Sequence, residues 1–311
     1  MTDELSTIKL PTILITGGAG FIGSNLVKEL VDEHEVIVLD NFHTGSLENL
    51  KDVQSKIKLI QASCGEALSL DLPPLDFIFH FGIPSSSPMY KENPALVGQA
   101  VNDAISIFEL AREKKAKKVI FASSSSIYNG LPLPFREDMQ PRVTDYYTEA
   151  RIAIERLARL YWELYGVKSI GLRFFSIYGF HEKAKGKYAN IVTQFLWDMR
   201  EGKEPVIFGN GEQTRDFTFI RDVVQACKLA MNSELECEII NIGTGKSYSF
   251  NEVVSLLNKI LGKSIRPKYV ENPIKNYVWH TLADTTKMKT LLGFKPSYSL
   301  EEGIRELLSE G

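Results

Sequence analysis

Six apolar runs of strand length recur through the first half of the chain: Thr12 to Thr16, Val36 to Leu39, Ile57 to Ile60, Phe77 to Phe79, Lys118 to Ala122 and Ser169 to Phe174. Longer segments with apolar residues at helical spacing lie among them, at Phe21 to Val31, Pro94 to Lys114 and Thr144 to Tyr165. A strand covered on both faces reads as a continuous apolar run, and its parallel neighbour is reached through a crossover, usually a helix. The alternation predicts an α/β fold, a Rossmann-like doubly wound parallel sheet with helices on both faces. This domain is expected over 1–175, completed by a stretch at about 216–248. The remaining 176–311 is less regular, with turn signals at Gly209-Asn210-Gly211, Gly243-Thr244-Gly245 and Glu271-Asn272-Pro273, and is expected to form a smaller, mainly substrate-binding α/β region.

Bulk properties narrow the partners. Of 311 residues, 44% are hydrophobic, ample for a sizeable core. The net charge is -3, and Lys and Arg are spread along the whole length, which leaves no footprint for nucleic acid or a membrane surface and favours small molecules. Cys64, Cys227 and Cys237 stand alone without CxxC spacing, so neither a disulfide framework nor a metal site is expected. The segment MTDELSTIKL carries acids and lacks an apolar signal core, and no later run is long enough to span a bilayer; a cytoplasmic location is expected.

The first apolar run leads into Gly17-Gly18-Ala19-Gly20-Phe21-Ile22-Gly23, after which the helical pattern starts. Glycines at 17, 20 and 23 allow a tight turn, close approach of a pyrophosphate to the backbone and close packing of helix on strand. The second run ends at Asp40, seventeen residues beyond Gly23. A carboxylate there accepts both hydroxyls of an adenosine ribose and repels a 2'-phosphate, and Asn41 to Ser46 include no Arg or Lys to welcome one. NAD is therefore expected over NADP.

Two further stretches carry chemistry. Four serines, Ser123 to Ser126, follow a strand in which packing needs no hydroxyls. Downstream, Tyr147 and Arg151 are four residues apart and share a helix face. A phenol is a poor base at neutral pH unless a cation favours its phenolate, and a serine hydroxyl can then hydrogen-bond the oxygen that loses and regains a proton.

Thr16-Gly17-Gly18-Ala19-Gly20-Phe21-Ile22-Gly23, the serine-rich strand end before Ile127-Tyr128, and Tyr147 with a basic residue four on together resemble the extended short-chain dehydrogenase/reductase family. More narrowly they resemble its NAD-dependent nucleotide-sugar epimerases and dehydratases of the UDP-glucose 4-epimerase type. His80-Phe81-Gly82-Ile83, Leu172 to Gly179, Phe208 to Phe217, Asn241-Ile242-Gly243 and Leu291 to Pro296 extend the resemblance over nearly the whole chain. The resemblance implies Ser124, Tyr147 and Arg151 as catalytic residues. It implies a cofactor site of Gly17, Gly20, Phe21, Ile22, Gly23, Asp40, Asn41, Phe81, Gly82, Asn102, Ser123, Tyr147, Arg151 and Phe174. For the nucleotide sugar it implies Ser85, Ser126, Ser176, Asn190, Phe208, Gln213 and Arg215, with Arg215 on phosphate, Asn190 on the diphosphate and Phe208 against the base. Tyr128 is expected to be a packing residue, and taken alone Arg215 would read as a surface ion pair with Asp216. Related enzymes dimerise through two helices per subunit; here these would be Pro94 to Lys114 and Thr144 to Tyr165, with Ile105, Phe108, Leu157, Leu160 and Tyr161 either as apolar surface of a homodimer or equally facing their own sheet.

The chain departs from the family pattern at several places. Arg151 stands for the catalytic lysine, no acid stands near Ser63-Cys64 where the family holds adenine, and Ser176 replaces an Asn. Pro273 to Thr281 replaces the usual Arg-Pro-Gly-Asp and is more similar to ADP-heptose 6-epimerases than to galactose epimerases. Dehydratases carry Asp-Glu after the catalytic hydroxyl and decarboxylases keep a Glu nearby; here Ser125 and Ser126 hold those places. The expected activity is therefore redox-neutral epimerisation at C4 of a nucleotide-diphosphate sugar through a 4-keto intermediate. A dehydratase, decarboxylase or dehydrogenase drawing an acid from elsewhere, such as Glu149, is the alternative, and a noncatalytic NAD-binding sensor a remoter one.

Overall fold

The computed structural model describes residues 10–309; the N-terminal segment read above for targeting signals lies outside them up to residue 9. Seven strands form the central sheet: β1 (Thr12–Thr16), β2 (Glu35–Asp40), β3 (Ile57–Gln61), β4 (Phe77–His80), β5 (Lys118–Ser124), β6 (Ser169–Phe174) and, after the short β7 (Ile177–Tyr178), β8 (Val206–Phe208), β9 (Thr214–Arg215) and β10 (Thr218–Phe219), the late strand β11 (Cys237–Ile242). Their order is β11-β6-β5-β4-β1-β2-β3, with every neighbouring pair parallel.

Strand pleating sorts the core into two halves. Ile13, Ile15, Val36 and Val38 face one cluster, while Leu14, Ile37 and Leu39 face the other. Helix α1 (Phe21–Leu30) covers the first face. After α2 (Ser87–Glu92), the long helices α3 (Leu96–Lys114) and α4 (Tyr146–Tyr165) cover the second, packed on each other. Helix α4 starts where Asp145 accepts the Thr148 N–H at 2.8 Å and Thr148 Oγ1 answers to the Asp145 N–H at 3.1 Å, a reciprocal cap. It ends at Gly166, whose left-handed φ of 70° suits a residue without Cβ.

The rest of the chain adds α5 (Ile191–Arg200), α6 (Ile220–Asn232), α7 (Phe250–Leu261), α8 (Thr286–Leu292), α9 (Leu300–Ser309) and the strands β12 (Tyr248–Ser249) and β13 (Lys268–Val270). Small pairs β10/β7, β12/β9 and β13/β8 build a region beside the sheet, while α6 packs on α1 and β11 extends the sheet beside β6. No helix among the described residues is long and apolar enough to cross a membrane.

Of the two readings open for the apolar residues on these helices, two residues take the inward one and belong to the subunit's own core. Phe108 and Tyr161 are buried and stack on each other, centroids 5.2 Å apart, because the packing of α3 against α4 turns both rings inward. The large hydrophobic side chains that α4 leaves exposed are Tyr146, Leu160, Leu164 and Tyr165.

Candidate functional site

A parallel sheet opens a crevice at the carboxyl ends of its strands where the strand order reverses, here between β1 and β4. A cavity of about 610 Å³ lies there, its lining running from Ala62 and Cys64 after β3 to Ser124 and Phe174 at the ends of β5 and β6. From β3 to β5 is four strand spacings, about 19 Å, room for an extended dinucleotide.

The glycine turn forms its middle. Gly17 has φ +67°, and a Cβ there would come within 2.7 Å of the Gly82 nitrogen; at Gly23 it would lie 2.1 Å from the Gly17 oxygen. Gly20 is the N-cap of α1, and no side chain caps that helix. Its first-turn N–H groups, on Phe21, Ile22 and Gly23, belong to the cavity wall, a ready anion cradle. Asp40 lines the wall and is held by the Ala19 N–H at 2.9 Å and the Phe42 N–H at 2.7 Å; burial pushes its carboxyl above the usual range. Thr16 Oγ1 accepts from the Gly82 N–H at 3.1 Å and lies 2.9 Å from His80 Nδ1, tying the turn after β4 to β1; burial holds the His80 pKa down at about 3. Uncapped N–H groups beside a strand-end carboxylate fit the pyrophosphate and ribose of NAD.

At the other end stand the serines, Tyr147 and Arg151. Strand β5 runs two residues beyond the apolar stretch, Ser123 pairing with Arg173 and Ser124 with Phe174, so these serines are the mouth of a strand. Ser124 Oγ accepts the Ser126 N–H at 3.1 Å and caps the turn Ser125–Tyr128. Tyr147 lines the cavity, edge-on to Tyr90 with centroids 5.5 Å apart, and its hydroxyl makes no hydrogen bond to another described residue. The Arg151 guanidinium carbon lies 4.8 Å from the Tyr147 ring centroid. Its fork donates to Ala122 O at 3.1 Å and Pro84 O at 2.9 Å, Nε is buried without a partner, and no carboxylate pairs with it among the described residues.

Beneath this end lies a polar network. Ser123 Oγ donates to Glu155 at 2.5 Å, Glu155 holds Arg173 at 2.7 Å, Arg173 donates to the Tyr128 hydroxyl at 2.5 Å, and Tyr128 donates to Asn241 at 2.8 Å. Ser123 thus touches the cavity wall while its hydroxyl serves the floor. Tyr128 is fully buried and stacked on Phe135.

Other expected residues fall into three groups. Asn41, Phe81, Gly82, Ser85, Ser126, Phe174 and Ser176 line the cavity. Asn102 does not: it is exposed on α3, and one residue on, about 100° around the helix, Asp103 lines the wall instead. Asn190, Phe208, Gln213 and Arg215 are not among its lining residues. Asn190 Oδ1 accepts the Val192 N–H at 3.0 Å and caps α5. Gln213 is buried, donating to Phe208 O at 2.8 Å and the Tyr277 hydroxyl at 3.3 Å. Arg215 lies 5.5 Å from the ring centroids of Phe250 and Tyr277 and donates to Val278 O at 2.5 Å, and burial lowers its pKa. It makes no ion pair with Asp216, which is buried and accepts from Thr244, Gly245 and Ala283. Successive residues of an extended chain point to opposite sides, so adjacency in sequence set these two apart.

Asp103, Gln99 and Lys185 also line the cavity. None was flagged by motif. Asp103 had a readable signal, a carboxylate in helical register with Ala100, Ala104 and Ile107, where a buried face calls for apolar residues. Lys185 Nζ lies 3.2 Å from Glu182 and 4.9 Å from the Phe21 ring centroid.

The sheet, its switch-point cleft and the glycine turn define a doubly wound dinucleotide-binding fold. The chain belongs to the NAD dependent epimerase/dehydratase family, whose model matches residues 13–243, and thus to the extended short-chain dehydrogenases/reductases. It is 33% identical to a putative UDP-glucose 4-epimerase of Methanocaldococcus jannaschii over 96% of this chain and 97% of that one. It is 32% identical to a UDP-N-acetyl-alpha-D-glucosaminuronate decarboxylase of Bacillus cytotoxicus, over 95% and 96%. Among solved structures, UDP-glucose 4-epimerase with UDP-glucose from Thermotoga maritima superposes with a TM-score of 0.90 at 32% identity, covering 96% of this chain and 97% of that one.

Proposed function

We propose that the protein is an NAD-dependent epimerase acting at C4 of a nucleotide-diphosphate hexose of the UDP-glucose/UDP-galactose type, through a transient 4-keto sugar. One observation carries this reading within the family: around Ser124 and Tyr147 the cavity wall offers hydroxyls and a guanidinium but no carboxylate. The acids lining the cavity, Asp40 and Asp103, belong to β2 and α3, and Glu149 is not in the wall. Elimination of water across C5 and C6 asks for a positioned acid at that end, whereas reversible oxidation at C4 needs only the groups present.

Ser124 holds the C4 oxygen and Tyr147 removes its proton. NAD bound along the strand ends supplies acceptance and return of hydride. Arg151, anchored by two backbone carbonyls beside the phenol, favours the phenolate form in which Tyr147 takes the C4 hydroxyl proton; it stays charged and relays no proton. The keto sugar turns, its other face is presented, and Tyr147 returns the proton. Arg215, without a carboxylate partner among the described residues, is suited to the diphosphate, with Phe208, partly exposed, against the base and Asn190, whose amide N–H groups bond to no described residue, as a donor. A cytoplasmic homodimer through α3 and α4 belongs to the same reading, supported by exposed Leu160, Leu164 and Tyr165; sedimentation tests it.

The deciding experiment is incubation of the purified protein with UDP-glucose and with UDP-galactose, following sugar identity and near-ultraviolet absorbance. Interconversion without net NADH is expected. Release of water or carbon dioxide would move the protein to a neighbouring activity of its family, and inertness toward both sugars would show that the C4 reading is mistaken.

A further inference from the structure

We propose that Asp103 is the residue that selects adenine: from helix α3, its carboxylate accepts a hydrogen bond from the exocyclic amino group of the dinucleotide's purine. This deepens the cofactor reading above and rests on it. The residues that line the cavity near the end of β3 are Ala62, Cys64, Leu96, Gln99 and Asp103. Three of these offer apolar or thiol surface for the flat faces of a base, and Gln99 and Asp103 are the polar groups among them.

The loop where the family's acid would stand is already committed to another task. Ser63 caps the turn Cys64–Ser69, and both its N–H and its hydroxyl donate to Glu66, at 2.8 and 2.7 Å. The neighbouring residue, Gly65, leaves room for a carboxylate from outside the loop. A Cβ at Gly65 would come within 2.9 Å of Asp103 Oδ1. Asp103 itself is 6% exposed, and no cationic side chain pairs with it among the described residues. The titratable groups near it are Cys64, Tyr90 and Asp40. Burial raises its pKa to about 6, opposed by hydrogen bonds from the Gly65 N–H and Gln99. A carboxylate has about four acceptor positions, so those two bonds leave capacity.

A buried carboxylate without a cation is costly unless donors satisfy it. The adenine amino group is a donor only, matching an acceptor-only carboxylate. A purine with a carbonyl oxygen at that position places acceptor against acceptor and is rejected.

The test uses the full chain stripped of any dinucleotide, titrated calorimetrically with NAD and with nicotinamide hypoxanthine dinucleotide, in which a carbonyl replaces the amino group. The wild type is expected to bind NAD about tenfold or more tightly than the hypoxanthine form. Asp103→Asn, whose amide presents either a donor or an acceptor, should close that gap to within about twofold, mainly by weakening NAD. Thermal melting of the unliganded variant controls for folding. Removing a buried charge should leave it at least as stable as the wild type at pH 7.5, whereas a structural anchor would be destabilised. Equal wild-type binding of the two dinucleotides, or an undiminished preference in Asp103→Asn, overturns the assignment and leaves the NAD reading standing. Failure of the folded wild type to bind either dinucleotide overturns both.

Discussion

Two arginines flank the end of β5 in opposite electrostatic company. Arg173, under the serines, is closed into a complete network with Glu155, Tyr128 and Asn241. Arg151, in the wall above, is equally buried, yet among the described residues two neutral carbonyls are its only hydrogen-bond partners and its Nε has none. A buried ion whose charge is matched inside the protein fixes architecture; one left unmatched keeps its field for whatever enters the cavity. Burial alone does not separate the two roles. The partner does.

The sharpest way to break this contrast is to remove the phenol that Arg151 serves. Tyr147→Phe keeps the ring under the guanidinium and deletes only the hydroxyl, so turnover should fall by about 10²- to 10⁴-fold while dinucleotide binding, measured calorimetrically, persists. Turnover within about threefold of wild type would remove the proton-transfer role. On the floor the corresponding loss is of stability. Glu155→Leu strands the Arg173 charge among buried groups and should cost about 3–5 kcal/mol in urea unfolding. Pairing it with Arg173→Met should restore most of that; a double variant as unstable as the single would show that the charge match is not what holds the floor together.

Arg151→Lys tests the wall more gently. Lysine keeps the charge, but its compact ammonium does not reproduce the fork that bridges Ala122 and Pro84. Activity should stay within about tenfold of wild type, because the charge beside Tyr147 carries the effect. A collapse comparable with Tyr147→Phe would mean that the guanidinium geometry itself is required.

How much of this was legible follows from where each signal is written. Five of the six early strands could be read because burial in the sheet writes runs of apolar residues; β3, at the sheet edge with Lys58 exposed, was legible only from Ile57, Leu59 and Ile60, and β1 and β6 have the expected ends. The continuation of β5 into Ser123 and Ser124 could not, since its pairing comes from β6 and its side chains from the cleft. The missing acid near Ser63 was visible in the sequence, but its replacement was not. Asp103 reaches that position only because α3 packs on the turn after β3, a contact between segments some forty residues apart. The serines also divide in a way no pattern announced: Ser124 caps a turn at the reacting end, while Ser123 belongs to the floor with Glu155.

Asp103 adds a charged group to the unmatched class, with a measurable sign. Its folded pKa, about 6, lies above the ordinary 3.8, so between those values the folded chain holds a proton that the unfolded chain has released. Stability from this group is present at low pH and is lost as pH rises through that window. The melting temperature of Asp103→Asn relative to wild type should therefore rise between pH 5 and pH 7.5. A difference independent of pH would mean that the carboxyl titrates normally in the folded chain.

The smallest effect is expected where the wall carries backbone strain. Ser176 lines the cavity with φ +31°, a left-handed region that costs most residues free energy and that Asn tolerates better. Ser176→Asn should stabilise the unliganded protein by about 0.5–1 kcal/mol, roughly 2 °C in melting temperature. The same change at Ser123, in the extended conformation of β5, relieves nothing and breaks the hydrogen bond to Glu155, so Ser123→Asn should destabilise. Strain is then a property of the wall and satisfaction a property of the floor. Equal shifts of the same sign in the two variants would show that backbone conformation does not distinguish them.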